Sequence, residues 1–281
     1  MRAAHATAAA IAVWLLAVGG VAMAAGGTAE SSAPPTTKGH AAGPLPARLA
    51  DGKPNWTGFW VPVGGLLDAY RGLNGLDGVP GGLSVNTPHA DPSAPAMKSP
   101  YKEQLAKLLA KSKSGQSLPD KVALCFPPGM PQMMIMVYGM EVLQTPKIIA
   151  ITSEWQAASR RIWMDLKEHP PAEELDDTYT GHSIGHWEGN TLVVDTVGIR
   201  TDVPYFSQVP LAHGAHARIV ERFHQTAPDV LVDDLTVLDP DVFVKPWVKS
   251  YTYHYRPDLR LEEYVCLDNN RNVDDQGRAK F

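Results

Sequence analysis

The fold is decided by residues 181–198, which read GHSIGHWEGNTLVVDTVG. Two β-forming runs flank Gly189-Asn190, a pair of residues that readily adopts the positive φ of a two-residue hairpin turn. The turn places Glu188 opposite Thr191 and thereby sets the register of both strands. The remaining predicted pairs are Trp187 with Leu192, His186 with Val193, and Ile184 with Asp195. This stretch therefore predicts a tight antiparallel hairpin.

The predicted hairpin has two unlike faces, because successive side chains point to opposite sides of a strand. One face is apolar and carries Trp187, Leu192 and Val194. The other face is apolar in part but also carries three ionisable side chains, namely His182, His186 and Asp195. Ionisable groups on a buried face are costly unless they have a function. This face is therefore where we expect the function: if it lines the barrel, its three ionisable groups are the candidate catalytic residues.

The N-terminal residues predict export. Met1-Arg2 and an apolar run precede an A-x-A cleavage motif at residues 22–24, so residues 1–24 resemble a secretory signal peptide rather than a membrane span. Residues 25–50 are rich in Ala, Gly, Ser, Thr and Pro, which predicts a flexible leader. Residues 51–281 then form one domain. We expect a periplasmic or secreted protein without stable membrane insertion.

The net charge limits the kinds of partner that the protein can bind, and the cysteines predict one cross-link. The net charge of −5 is mild and unclustered, which argues against a nucleic-acid partner. The two cysteines, Cys125 and Cys266, are an even count in an exported chain and predict one disulfide.

The second half of the chain predicts a mainly β fold. β-forming runs follow one another at about ten-residue spacing with no helical pattern between them, which indicates an antiparallel meander. Closing the meander into a lipocalin-like β-barrel removes its edges and leaves a ligand-sized interior. The predicted strands include residues 132–138 and 259–267. A short helix at residues 101–111 and a long Gly/Pro-rich segment at residues 64–99 are expected to cover one opening.

Several motifs carry a resemblance to a known family. They are PNWTGFW from Pro54, CFPPGMP from Cys125, RRIWMD from Arg160, the hairpin stretch itself, and KPW from Lys245. Together they resemble one large family of exported bacterial proteins over nearly all of the mature chain. The resemblance implies export but no particular chemistry. Many relatives read PHSE before the next strand, whereas this chain reads AHGAHAR at residues 212–218, so no acidic residue is assigned a role there.

Other residues are candidates for holding a substrate. Charged side chains inside apolar strands could orient the polar end of a ligand, and aromatic side chains suit a pocket for a flat or apolar molecule. The predicted substrate-binding residues are Glu154, Arg161, Glu221, Tyr179 and Trp163. The alternative is that the charged ones simply point outward.

A metal site is a further alternative. Zinc bound by His182 and His186 would need a third ligand, for which His213, His216 and Glu221 are candidates, although their spacing matches no metal motif. The methionines of residues 130–140 could bind copper, but they also fill cores well. We expect no cofactor.

The functional prediction is an exported enzyme that performs acid–base chemistry of the isomerase, lyase or hydratase type. Its substrate would be a small apolar or aromatic molecule held inside the barrel. Histidine suits this role because its ordinary pKa lies near neutrality. Two alternatives stay open, a non-catalytic carrier with the same barrel and a metal-dependent hydrolase that uses the histidines.

Overall fold

The computed structural model describes residues 48–63, 94–116, 118, 121–122, 124–136, 138–206 and 209–268. The predicted signal peptide, nearly all of the predicted leader and most of the predicted covering segment lie outside the described residues. Within the described ranges, no helix is both long enough and apolar enough to cross a membrane.

Nine strands close into a single β-barrel in the described part of the chain. In chain order, the strands of the fold are β1 (Gly58–Pro62), β2 (Met140–Gln144), β3 (Ile148–Ser153), β4 (Ser159–Trp163), β5 (His182–Glu188), β6 (Thr191–Val197), β7 (Pro204–Phe206), β8 (Val209–Ala212), β9 (Arg218–Ala227), β10 (Val230–Leu238) and β11 (Trp247–Tyr255). Around the barrel the order is β1-β11-β10-β9-β6-β5-β4-β3-β2, and β7 pairs with β8 in a separate small sheet. The prediction of a closed, mainly β barrel is confirmed.

One seam of the barrel departs from a simple meander. Strand β4 pairs with β5 in parallel, with Ile162 beside Ser183 and Trp163 beside Ile184, whereas the other barrel neighbours are antiparallel. Parallel neighbours need a long connection, because the chain must return to the starting end of the first strand. Residues 164–181 provide this connection. The same loop carries His169 onto the outside of the hairpin.

Two helices accompany the barrel. Helix α1 (Tyr101–Lys113) confirms the predicted helix, and its apolar side chains pack against the barrel core. Helix α2 (Gln132–Ile135) is a single turn where a strand was predicted, so the strand at residues 132–138 was wrong. Proline favours the start of a helix and methionine is a good helix former, which explains a helical turn directly after Pro131. Met133 and Met134 are buried in the core.

The strand predicted at residues 259–267 is also wrong. Strand β11 is already paired with β10 on one side and with β1 on the other, so the closed barrel offers this segment no free edge. The C-terminal segment is instead held by the predicted disulfide between Cys125 and Cys266, whose Cα atoms are 5.5 Å apart. Tyr264 also stacks on Trp155, with ring centroids 5.0 Å apart.

The central hairpin forms with the predicted register. Strands β5 and β6 pair Glu188 with Thr191 and Ile184 with Asp195, as the turn required. Of the two turn residues, only Gly189 has a positive φ, at 61°. One left-handed residue is therefore sufficient to reverse the chain here.

The hairpin turns its apolar face into the barrel and its ionisable face outward, which is the reverse of the arrangement that a catalytic site inside the barrel requires. Leu192 and Val194 point into the barrel and are buried, together with Ser183 and Thr196. The face with His182, His186 and Asp195 consequently lies outside, so the condition for a role of these residues inside the barrel is not met. The inward face buries large aliphatic side chains, and its two hydroxyl groups find hydrogen-bond partners inside, so this orientation leaves the ionisable groups near water.

Candidate functional site

The outer face of the β5–β6 hairpin carries two of the predicted catalytic residues. His182 pairs with Val197 and Ile184 pairs with Asp195, which places His182 and Asp195 on neighbouring strands of the same face. The loop between β4 and β5 folds over this face and brings His169 to both of them. His169 was not predicted, because its position depends on the path of the loop and no sequence spacing indicates that path.

The three side chains form a chain of polar contacts. The Nδ1 atoms of His169 and His182 are 2.9 Å apart, which is a hydrogen-bond distance. The Nε2 atom of His169 lies 3.5 Å from Oδ2 of Asp195, an ion-pair distance. The His169 and Asp195 side chains are only 16% and 20% exposed, so water screens these contacts weakly. The two imidazole rings are thus in hydrogen-bond contact with each other and lie beside the Asp195 carboxylate, while Nε2 of His169 makes no hydrogen bond among the described residues.

The nearby carboxylate favours one assignment of the protons on the two rings. The Asp195 carboxylate can only accept, so it favours a proton on Nε2 of His169, which leaves Nδ1 of His169 as an acceptor. In this assignment His182 donates its Nδ1–H to that atom, and its Nε2 keeps a free lone pair. Burial, and then the neighbouring His169, lowers the pKa of His182 below its ordinary value. His182 is therefore a neutral base at pH 7.

Arg218 holds the carboxylate end of the chain. Its Nε atom donates to Oδ1 of Asp195 at 2.7 Å, and its Nη2 atom donates to Oδ2 of the same side chain. A bidentate contact of this kind fixes the plane of the carboxylate. Arg218 thus orients Asp195, which in turn faces His169.

His186 is not part of this chain, although it lies on the same face. Its side chain is 66% exposed and its Nε2 atom lies 3.4 Å from Oε1 of Glu188. Glu188 in turn accepts a hydrogen bond from Arg222 at 2.8 Å. His186 therefore belongs to a separate, solvent-exposed group of charges at the end of the hairpin.

The predicted substrate-binding residues are placed in different regions. Trp163 lies on the outer face beside Ile184, and Arg161 points outward into solvent. The ring of Tyr179 packs under the Arg200 guanidinium, whose carbon is 4.7 Å from the ring centroid. Glu154 is half-buried away from the hairpin, and burial raises its pKa. Trp163 and Arg161 share the outer side of β4, the strand next to the one that carries His182.

Glu221 lies inside the barrel, in a polar network centred on Arg160. Arg160 is fully buried and donates to both carboxylate oxygens of Glu221, one of them at 2.8 Å. It also donates to Ser183 at 3.0 Å and to Thr196 at 2.7 Å. A buried pair of charges is tolerated only with such extra hydrogen bonds. Arg160, and not the predicted Arg161, is the inward arginine, as its alternation with the buried Ile162 could have indicated.

Asp233 is a second carboxyl group inside the barrel, and it was not predicted. It is 0% exposed, and neither of its oxygens has a hydrogen-bond partner among the described residues. Burial, followed by the nearby Glu221, raises the pKa of Asp233 well above its ordinary value. The signal in the sequence is its alternation with Leu231 and Leu235, which places all three on one face of β10.

The described residues include no group of three or more His, Cys, Asp or Glu side chains positioned to hold a metal ion. His213 is buried against the ring of Tyr205, with centroids 3.9 Å apart. His216 is exposed and lies 2.9 Å from Asp241. Neither histidine is in contact with His182 or His186, so the third ligand considered for zinc is not assembled within the described part of the chain.

The sequence matches no protein-family model and no curated protein.

Proposed function

We propose that this protein is an exported enzyme that performs acid–base chemistry on a small, largely apolar or aromatic molecule. Its base is His182, on the outer surface of the barrel, and the reaction is of the isomerase, lyase or hydratase type. The observation that carries the proposal is the 2.9 Å contact between the Nδ1 atoms of His169 and His182, with Asp195 3.5 Å from the other nitrogen of His169. Titratable groups held together in this way are typical of functional sites.

The chain of contacts gives the proton a defined route. When Nε2 of His182 takes a proton from the substrate, its Nδ1 proton passes to Nδ1 of His169. The positive charge then resides on His169, whose Nε2–H faces the carboxylate of Asp195. His169 and Asp195 are positioning residues in this scheme, and His182 is the catalytic residue.

The surroundings of His182 support an apolar substrate. Trp163 and Ile184 are paired neighbours on the same outer face, and Ile184 lies two residues from His182 along β5. A flat ring against Trp163 would therefore lie next to the free nitrogen of His182. An imidazole base removes a proton from carbon only where an adjacent electron-withdrawing group, such as a carbonyl group, stabilises the resulting charge. We therefore expect an aromatic ketone or enone.

The test is proton abstraction, measured as deuterium uptake from D₂O by a panel of small aromatic ketones and enones with NMR detection. His182→Gln should lower the rate for the active compounds by about 10²–10⁴-fold, as expected for the loss of a general base. The parent rate should fall only once the pH is below the ordinary histidine pKa of 6.5, because a protonated His182 cannot accept a proton.

His186→Gln is the matched control. It removes a histidine from the same strand and the same face, but from outside the chain of contacts, and should keep the parent rate. His169→Gln should lower the rate and shift the pH profile, since it removes the proton acceptor of His182. Equal rates for the parent and a folded His182→Gln variant would refute the enzyme proposal and favour the carrier alternative.

A further inference from the structure

A cleft lies on the outer surface of the barrel, at the turn end of the β5–β6 hairpin. Its volume is about 350 Å³, at the small end of the range of ligand pockets. The cleft is separate from the proposed base, because His182 begins β5 and the turn follows its last residue, roughly 20 Å further along the strand. The lining residues are Arg48, Pro54, Asn190, Thr191, His224 and Gln225.

One wall of the cleft follows from the register of β6 and β9. Leu192 on β6 pairs with Phe223 on β9, and both side chains are buried in the barrel. One residue further along these antiparallel strands, Thr191 and His224 are therefore neighbours on the outer face. The wall thus presents a hydroxyl group and an imidazole ring side by side.

Arg48 supplies the positive charge of the cleft. Its Nη1 atom donates to the Gly52 carbonyl oxygen and, at 3.0 Å, to Oδ1 of Asn190. Its Nε and Nη2 atoms have no hydrogen-bond partner among the described residues. These two atoms form one edge of the guanidinium, which matches the two oxygens of a carboxylate. Because Asn190 accepts through its oxygen, its amide nitrogen is a further donor.

Gln225 supplies an acceptor to the same cleft. Its Nε2 atom donates to the Pro228 carbonyl oxygen at 3.0 Å, so its Oε1 is left to accept a hydrogen bond from a hydroxyl group. The Thr191 hydroxyl group can either donate or accept. The nearby His224 faces a carboxylate outside the lining, since its Nδ1 atom is 3.7 Å from Oδ2 of Asp234.

The charges around the cleft favour an anion. None of the six lining side chains is acidic, so no lining residue balances the charge of Arg48. The carboxylate next to the turn, Glu188, is already paired with Arg222 at 2.8 Å. An anionic group in the cleft therefore meets an unused guanidinium edge and no unpaired carboxylate in the lining.

We propose that this cleft binds a small hydroxylated carboxylate, of the sugar-acid type. The free edge of Arg48 and the amide nitrogen of Asn190 donate to the carboxylate, and a hydroxyl group of the ligand donates to Oε1 of Gln225. A neutral sugar lacks the group that matches Arg48, and an apolar carboxylate lacks the group that matches Gln225. Both should therefore bind more weakly than a molecule that carries the two groups together.

Three probes of similar ring size test the proposal. D-glucuronate carries the carboxylate and the hydroxyl groups, D-glucose carries hydroxyl groups alone, and cyclohexanecarboxylate carries the carboxylate alone. Each probe is titrated into the whole ¹⁵N-labelled protein, and the backbone NMR signals of Asn190 and Thr191 give its dissociation constant. Glucuronate should bind about tenfold more tightly than either of the other two, as expected for one additional hydrogen-bonded contact.

Two substitutions separate the two contacts. Arg48→Gln should lower the affinity for glucuronate about tenfold and leave that for glucose unchanged. Gln225→Met should lower the affinity for glucuronate and leave that for cyclohexanecarboxylate unchanged. Arg200→Gln is the matched control, because it removes the same charge beyond the opposite end of β6. His182→Gln should also bind like the parent, so the result is separable from the enzyme proposal.

The proposal is overturned if glucuronate causes no saturable shift of these signals, or if glucose or cyclohexanecarboxylate binds as tightly. It is also overturned if Arg48→Gln keeps the parent's affinity for glucuronate. An equal loss in Arg200→Gln would show an effect of net charge alone and would contradict the site as well. If a variant does not fold, the selectivity of the parent among the three probes decides the matter.

Discussion

At the scale of single residues, His213 shows what full burial does to an ionisable group. Its side chain is 2% exposed, stacks on Tyr205, and has no hydrogen-bond partner for either ring nitrogen among the described residues. Tyr205 is itself fixed by donating to Oδ2 of Asp239 at 2.5 Å. Burial lowers the pKa of His213 to about 3. The folded protein therefore keeps His213 neutral well into the acid range.

The low pKa of His213 predicts that the folded protein loses stability in acid. Between about pH 6.5 and pH 3, the unfolded chain binds a proton at His213 and the folded protein does not, so stability falls as the pH falls. From pH 7 to pH 4.5, His213 alone should remove about 2–3 kcal/mol from the free energy of unfolding. His213→Phe should reduce the pH dependence by that amount, as measured by urea unfolding at both pH values. An unchanged pH dependence would contradict the assignment.

At the scale of the element, the β5–β6 hairpin contains two glycines with different roles. Gly185 lies in the strand, and a Cβ atom there would come within 2.7 Å of Ile162 Cγ2 and 2.8 Å of Met164 Sδ. Gly189 lies in the turn with a φ of 61° and open space around it. Gly185 is required for close packing, whereas Gly189 is required for its backbone conformation.

Two substitutions separate these roles. Gly185→Ala should lower the free energy of unfolding by about 1–3 kcal/mol, because the added methyl group overpacks the barrel wall. Gly189→Asn should cost about 0.5 kcal/mol, since Asn tolerates a positive φ and meets no neighbour at the turn. Denaturant unfolding of both variants provides the measurement. If the turn variant were the less stable one, close packing at Gly185 would not be the dominant constraint.

At the scale of the whole molecule, the barrel is closed by strand pairing and the chain is also cross-linked by a disulfide. Strand β1 pairs with both β2 and β11, which closes the barrel by hydrogen bonds. The disulfide between Cys125 and Cys266 then joins the segment before α2 to the segment after β11, across 141 residues of sequence. The covalent link lies outside the hydrogen-bonded barrel, so its loss should leave the strand pairing unchanged.

The disulfide should nevertheless contribute much of the stability. In the chain-entropy description, a loop of this length is worth up to about 4–5 kcal/mol, because the cross-link restricts the unfolded chain. Replacing both cysteines by serine should lower the free energy of unfolding by that amount or somewhat less, while the far-ultraviolet circular dichroism stays β-type. Unchanged stability in the double variant would show that the cross-link constrains little of the unfolded chain.

The sequence by itself determined the features that depend on local pattern. The hairpin register follows from the turn at Gly189 and from strict alternation, and the closed, mainly β fold follows from strands without intervening helices. The disulfide follows from an even number of cysteines in a chain whose N-terminal residues predict export. Alternation also placed His182 and Asp195 on one face. These inferences need only neighbouring residues along the chain or a simple count.

Only the tertiary structure decided which face of the hairpin is inside. Local alternation distinguishes two faces but does not say which one meets the other strands. The inward orientation of Ser183 and Thr196 is stabilised by Arg160, whose hydrogen-bond partners lie on β5, β6 and β9 and are distant in sequence. In the same way, His169 reaches His182 through the path of a loop. The chemistry at both candidate sites therefore depends on contacts between residues that no local pattern connects.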